Sequence, residues 1–431
     1  MSANGTARDT IFALSSGALP AGIAVVRVSG PAAGEAVRAL AGRLPAPRQA
    51  VLRTLRNAAG EALDRALLLW LPGPGSATGE DMAELHLHGG RAVVRAVLAA
   101  LGAVPGLRPA EAGEFTRRAF ANGRLDLAEA EGLADLVAAE TEAQRRQALR
   151  LAEGGLGRMI EGWRRQLLAL AAHVEAAIEF GEDEEDVPAL GEAEAEALRM
   201  LAKVLRNVLL QPPAERLRDG VRVVLAGPVN SGKSSLINIL VGREVAIATP
   251  IAGTTRDIIE APVVVDTLPI ILIDSAGLRK SDDPVERLGV ARAREALAGA
   301  DLVLWLGEPE EAPAGALLVH ARADLPERAE VPPDSIAVSV VSGSGLDSLR
   351  AALVKSARSL LPAEDNVALN ARHRAAVVEA AEALEMALDV DDPVIVAEQL
   401  RLARTALDRI TGRAGVEDML DALFGQFCIG K

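Results

Sequence analysis

Apolar and polar positions change their spacing several times along the 431 residues, and each change predicts a different architecture. Over residues 1–120, short alternating runs at 23–28, 66–70 and 82–88 read as strands, while 31–41 has helical spacing. That mixture predicts a compact α+β domain. From Leu125 to about Leu210 the chain becomes long Ala/Leu/Glu/Arg helices, broken near Gly154-Gly155 and by the acidic run before Pro188. Gln211-Pro212-Pro213 ends that region. A buried-strand pattern follows at 221–226, then a glycine turn and a helix over 233–241. Further β-like runs fall at 262–265, 270–273, 302–306, 317–319 and 336–340, with helices at 285–298 and 346–360. Strands alternating with helices predict a mostly parallel α/β sheet. After Pro362 helical spacing returns to the end, so the α/β domain reads as an insertion into an all-α domain whose two pieces pack together. The expected boundaries are 1–120, 121–214, 215–361 and 362–431.

Composition narrows the partners. There are 46 Lys+Arg against 60 Asp+Glu, a net charge of −14, which excludes a uniformly basic nucleic-acid binder and a polycationic membrane tail. The acid is unevenly placed: residues 1–122 are +4, residues 151–200 are −8 and residues 301–400 are −11. Aromatic residues make up 2% with no Tyr, so Ala, Leu, Val and Ile must build the core. A single cysteine, Cys428, forbids an intrachain disulfide and fits a reducing cytoplasm. Neither an 18-residue apolar stretch nor a cationic leader is seen, so no membrane span or signal peptide is expected.

The strongest chemical signal is Gly227-Pro228-Val229-Asn230-Ser231-Gly232-Lys233-Ser234, which fits G-x-x-x-x-G-K-S/T between a strand and a helix, with Ser235 next in the same nucleotide-binding stretch. Its glycines let backbone N–H groups wrap phosphates, Lys233 suits the β/γ oxygens and Ser234 can ligate Mg2+. Two later segments stand where a GTPase needs its switches. Gly253-Thr254-Thr255 offers Thr255 as a second Mg2+ ligand, and Asp274-Ser275-Ala276-Gly277 offers Asp274 for the Mg2+ shell and the Gly277 N–H for the γ-phosphate. In this order, they favour a GTPase over a general ATPase.

Base recognition departs from the usual N-K-x-D. Ala321-Arg322-Ala323-Asp324 keeps the aspartate for guanine N1 and N2 but lacks the asparagine, and Ser339-Val340-Val341 stands where an S-A-K-like loop belongs. Only about eight residues, 308–315, separate two apolar strands, whereas a parallel crossover usually takes a dozen or more. Either a crossover helix is missing there, or the sheet is rearranged.

With these motifs in place, the whole chain resembles the MnmE (TrmE) family of tRNA-modification GTPases. The blocks that carry the resemblance are Gly22-Ile23-Ala24-Val25-Val26-Arg27-Val28-Ser29-Gly30, and Ser76-Ala77-Thr78-Gly79-Glu80-Asp81 with Glu84-Leu85-His86-Leu87-His88-Gly89-Gly90. The long block from Arg108 through Gly113-Glu114-Phe115-Thr116 to Arg124-Leu125-Asp126-Leu127, and the terminal Cys428-Ile429-Gly430-Lys431, complete it. The resemblance implies an N-terminal domain that binds a tetrahydrofolate derivative (5-formyl or methylene) and dimerises, and a helical domain carrying an inserted G domain. It also implies an FAD-dependent partner, MnmG (GidA), with which the family adds an aminomethyl-type group at C5 of the wobble uridine of certain tRNAs. It further implies that K+-dependent pairing of G domains in a homodimer activates hydrolysis.

Residue by residue, the resemblance places Asn230, Thr249, Ile251 and Thr254 around K+, with Pro250, Ala252 and Gly253 in the same nucleotide-binding stretch. Glu286 takes the place of the glutamate that orients the attacking water. Arg27, Glu84, Arg124 and Lys431 match the folate positions, with Arg124 replacing a lysine. Without the resemblance, Glu286 reads as a solvated helix charge and these four as surface ion-pair residues. Cys428 reads either as a reactive nucleophile or as an inert part of the terminal motif, and the inert reading is favoured. His86 and His88 share one face of a strand, but no Cys/His cluster completes a metal site, so a structural role is expected. The competing reading is a GTPase that works as a binding switch in ribosome assembly or signalling, sharing only the G domain.

Overall fold

The computed structural model describes residues 9–180, 190–243, 245–246, 260–274, 297–363, 366–414, 420, 423–425, 427 and 429–430. The chain divides into two compact units, residues 1–134 with 411–431, and residues 135–410.

The first unit is built on a six-stranded sheet. Its strands are β1 (Thr10–Leu14), β2 (Ala21–Ser29), β3 (Val51–Arg56), β4 (Ala62–Leu71), β5 (Met82–Gly89) and β6 (Leu107–Pro109), in the order β3-β4-β5-β2-β1-β6. Every pairing is antiparallel except β1 with β6. Alternation decides which face is covered. Ala24, Val26 and Val28 of β2 and Ala83, Leu85 and Leu87 of β5 point into one core with helices α1 (Ala33–Ala41) and α2 (Arg91–Gly102). On the opposite face Ile11 and Ala13 pack with Phe115 of α3 (Glu114–Ala121). Gly113 enters α3 at φ 67°, and a Cβ there would be driven into the Phe424 carbonyl. This close approach lets the C-terminal segment seat Phe424 and Phe427 beside Phe120 and Ala130.

Helices α4 (Leu127–Ala138), α5 (Glu142–Ala152), α6 (Gly155–Phe180) and α7 (Glu192–Leu209) follow. The sequence reading missed the break before α5, where the Thr141 side chain accepts from Gln144 N and Gln144 reciprocates, a capping box that starts a new helix. In the second unit a short α8 (Glu215–Arg218) leads into the strands β7 (Val221–Ala226), β8 (Val245–Ala246), β9 (Glu260–Val265), β10 (Leu268–Asp274), β11 (Leu302–Trp305), β12 (Leu317–Ala321) and β13 (Ile336–Val338). Their order is β13-β12-β11-β7-β10-β9-β8. The five strands from β13 to β10 run parallel and the remaining pairings are antiparallel, so the sheet is mostly parallel as expected.

Of the two readings for the short crossover, the missing helix is the one observed. β11 and β12 are ordinary parallel neighbours joined by residues 306–316, whose only helical turn is a 3-10 turn at Pro309–Glu311. The β12–β13 connection likewise holds one 3-10 turn, Pro326–Arg328. Helices α9 (Lys233–Arg243) and α10 (Leu346–Leu360) cover one sheet face, burying Leu236, Leu240, Leu349 and Leu353 against Val223, Leu225, Ile270 and Leu304. The strand expected over 336–340 stops at Val338, because Ser339 turns the chain by accepting from Ser342 N. Beyond the sheet, α11 (Ala371–Leu388) packs along α7, and α12 (Pro393–Thr411) reaches α6 through the Arg164–Asp408 ion pair. Arg374 of α11 donates to the Leu209 and Gln211 carbonyls. It thereby satisfies acceptors left open at the end of α7. The helical pieces before and after the sheet therefore do pack together.

Candidate nucleotide-binding and folate-binding sites

Strand β7 is almost entirely buried and is followed by Gly227, whose φ of 140° and close approach to Leu306 and Gly307 exclude a side chain. The loop that follows carries Asn230 at φ 63°, exposed, and returns at Gly232 into α9. Lys233 is the first residue of that helix and is buried. Its Nζ donates to the Gly227 carbonyl at 2.9 Å and the Pro228 carbonyl at 2.6 Å. Burial pushes the Lys233 ammonium down from its ordinary value, opposed by the charge of Asp274. The cation thus sits in its own phosphate loop, held by neutral carbonyls and facing one carboxylate. Ser234 Oγ donates to Asp274 Oδ2 at 2.6 Å, joining the start of α9 to the end of β10. A hydroxyl and a carboxylate in contact are the hard oxygen donors Mg2+ prefers, so this pair fits the metal.

At the base-recognition end, Ala321 closes β12 and lies 3.8 Å from where a Cβ on Gly232 would stand. Arg322 adopts φ 59°, Ala323 N donates to Val338 O and Asp324 is exposed. Ser339 is buried, Val340 packs against the core and Val341 is 84% exposed. Ser231 and Ser235 lie on the loop and the first turn of α9. Gly232, Lys233, Ser234 and Asp274 are therefore brought together, with the 321–324 loop alongside. Thr249, Pro250, Ile251, Ala252, Gly253, Thr254, Thr255, Ser275, Ala276, Gly277 and Glu286 lie outside the described residues, as do Lys431 and Cys428.

In the first unit Arg27 and Glu84 stand opposite each other on β2 and β5, with Arg27 Nε 3.0 Å from Glu84 Oε1. Both remain partly exposed, which fits a carboxylate and a cation available to a pterin and its glutamate tail. Arg124 is exposed, with its stem packed at Gly79 in the 76–81 loop. His88 lies 2.7 Å from the buried Asp64 carboxylate through Nδ1, and His86 pairs with Glu84. Among the described residues no group of His, Cys, Asp and Glu could hold a metal ion.

No role was expected from the sequence for Asp9, Glu80, Arg108, Glu114 or Arg118. They form one chain: Arg108 bridges Asp9 and Glu114, Glu114 is 2.9 Å from Arg118, and Arg118 is 3.1 Å from Glu80. Glu80 also accepts from Ser29 Oγ, and Asn122 donates to Thr78 O, so the network clamps the 76–81 loop beside Arg124. Burial alone would raise the Glu114 carboxyl, but Arg108, the Glu111 N–H and Arg118 hold it below its usual value. The available signal was the unusual density of Arg and Glu within an otherwise buried pattern.

A glycine-rich loop entering a helix from a parallel strand, with its lysine on the loop's own carbonyls and its serine bonded to a β10 aspartate, defines a P-loop nucleotide-binding protein. Family models described as "GTP-binding protein TrmE N-terminus" and "MnmE helical domain" match residues 10–124 and 127–428. The "tRNA modification GTPase MnmE" of Rhizorhabdus wittichii is 60% identical over 430 residues, covering 99% of this chain and 97% of the relative. That of Erythrobacter litoralis is 55% identical, covering 98% and 100%. Among solved structures, the G domain of the T. maritima FeoB iron transporter is 25% identical and covers 32% of this chain and 98% of its own, at a TM-score of 0.25. The chain belongs to the MnmE family. Among the described residues no helix is long and apolar enough to cross a membrane.

Proposed function

We propose that this chain is a cytoplasmic GTP-hydrolysing enzyme of tRNA modification. It works as a homodimer with the FAD-dependent MnmG to install a carboxymethylaminomethyl-type group at C5 of the wobble uridine, drawing one carbon from a tetrahydrofolate derivative. The observation that carries the hydrolase reading is the meeting of Lys233, Ser234 and Asp274 at the mouth of the phosphate loop. The high identity to relatives named tRNA modification GTPase supports the tRNA reading.

In this reading Lys233 leaves the Gly227 and Pro228 carbonyls for the β/γ-phosphates, while the backbone N–H groups at the start of α9 receive the remaining oxygens. Ser234, Asp274 and Thr255 would hold Mg2+, which neutralises phosphate charge as the terminal bond breaks. Asn230 and the 249–254 stretch would hold K+, Glu286 orients the attacking water and Asp324 reads guanine. Arg27, Glu84, Arg124 and Lys431 bind the folate. The domain assignment follows the same reading, with a G domain at 215–361 set within helices 121–214 and 362–431 and a folate domain at 1–120.

The test is GTP hydrolysis by the purified chain in K+ and in Na+, with and without Glu286→Ala. Hydrolysis is expected to need K+, and Glu286→Ala to lower it by about 100-fold or more with nucleotide affinity preserved. Equal turnover in the two salts, or an active Glu286→Ala protein, would overturn the mechanism.

A further inference from the structure

The face of the first unit's sheet opposite α1 and α2 presents Glu84 and His86 from β5, while Leu85 and Leu87 between and beyond them enter the core. Across the pairing, Arg27 faces Glu84 and Val25 faces His86, and Leu67 of β4 flanks His86 on its other side. Val25 and Leu67 offer no polar side-chain atom. Among the described residues the polar partner of His86 is Glu84, and its Nε2 lies 3.2 Å from Glu84 Oε2. A carboxylate oxygen accepts, so Nε2 is the donor. The other oxygen, Oε1, accepts from Arg27 Nε at 3.0 Å. Neighbouring His88 turns away to Asp64 and does not compete.

We propose that His86 is a positioning residue of the folate site, an inference that rests on the folate reading of Glu84 given above. The last torsion of a glutamate is soft, so one contact from Arg27 leaves the carboxylate plane free to rotate. A second donor on the other oxygen fixes that plane. Each oxygen keeps a further acceptor direction, and Glu84, 18% exposed at its side chain, presents these to a ligand. The ligand chemistry that matches is a fused aminopyrimidinone, whose ring amide and exocyclic amine place two N–H donors side by side. His86 touches the carboxylate and acts through it.

Calorimetric titration of the full chain with 5-formyl-tetrahydrofolate tests this. His86→Leu is expected to weaken binding about ten-fold, and His86→Gln, which keeps an N–H donor, to return to within about three-fold of the parent. Thermal unfolding of both should match the parent. If His86→Leu binds as the parent does while Glu84→Ala does not bind, the inference fails. Equal losses in His86→Leu and His86→Gln would also sink it, since the donor would then be irrelevant. Parent-like binding by Glu84→Ala would overturn the folate reading itself, and the inference with it.

Discussion

The first unit holds a chain of charges running through the buried Glu114 and Arg118, the second unit a buried lysine, and the two are built on opposite principles. In the first unit Asp9, Arg108, Glu114, Arg118 and Glu80 alternate in sign, and each charge meets an opposite one within 3.3 Å. In the second unit the buried Lys233 has, among the described residues, two backbone carbonyls and a serine hydroxyl within hydrogen-bond reach. The first arrangement spends its charges on one another and so fixes a loop. The second holds a cation on neutral acceptors with Asp274 as its facing charge, and a triphosphate would add to that compensation. Charge paired with charge marks a frame, and a buried cation held on neutral acceptors marks a binding site.

Removing a charge should therefore have opposite consequences in the two places. The largest effect is expected from Glu114→Ala, which strands Arg108 and the buried Arg118 without their shared carboxylate. Breaking such a pair costs about 3–5 kcal/mol, to be read from urea unfolding. The pH dependence follows from the lowered Glu114 value. A carboxyl depressed in the folded state stabilises above its unfolded value, and that stability is lost as pH falls through the folded value. Glu114→Gln should accordingly flatten the acid limb of the stability profile, and an unchanged limb would show that the network is not a frame.

Lys233→Met sharpens the contrast. Nucleotide affinity should fall about 100-fold, the loss of charge-assisted contacts to phosphate. Unfolding without nucleotide should be unchanged or shifted slightly upward. The sign follows from the direction of the shift: a lysine whose value is lowered by burial binds its proton less tightly when folded, so its charge costs stability at neutral pH. Clear destabilisation of the empty protein would mean that Lys233 belongs to the frame after all.

How much of this could be read beforehand differs between the units for a physical reason. The phosphate loop and β7 were legible to the residue, because glycine spacing and an unbroken apolar run leave few alternatives. Helix α10 was legible for the same reason, with Leu346, Leu349 and Leu353 repeating on one face. Strands β1, β3 and β6 were not singled out, since β3 alternates Val, Leu, Arg and Thr with only Leu55 buried. The Asp9–Glu80 chain could not be traced, because its members lie up to 109 positions apart and meet only through the sheet. The missing crossover helix was visible as a short spacing, but choosing between a lost helix and a rearranged sheet needed the β11–β12 register.

The smallest effect tests whether burial, rather than good geometry, separates the frame from an ordinary surface pair. Arg206 of α7 meets Glu385 of α11 through two contacts, at 2.7 and 2.5 Å, as well aligned as any link in the Asp9–Glu80 chain. Yet the two side chains are 41% and 46% exposed, against 8% and 7% for Arg118 and Glu114. Water screens the first pair and competes for its donors, while holding two long side chains in place costs rotamer freedom. Arg206→Ala should therefore change unfolding stability by less than about 1 kcal/mol, less still in high salt, and leave nucleotide affinity alone. A loss near that of Glu114→Ala would mean that the α7–α11 contact depends on this pair, and that fork geometry matters more here than desolvation.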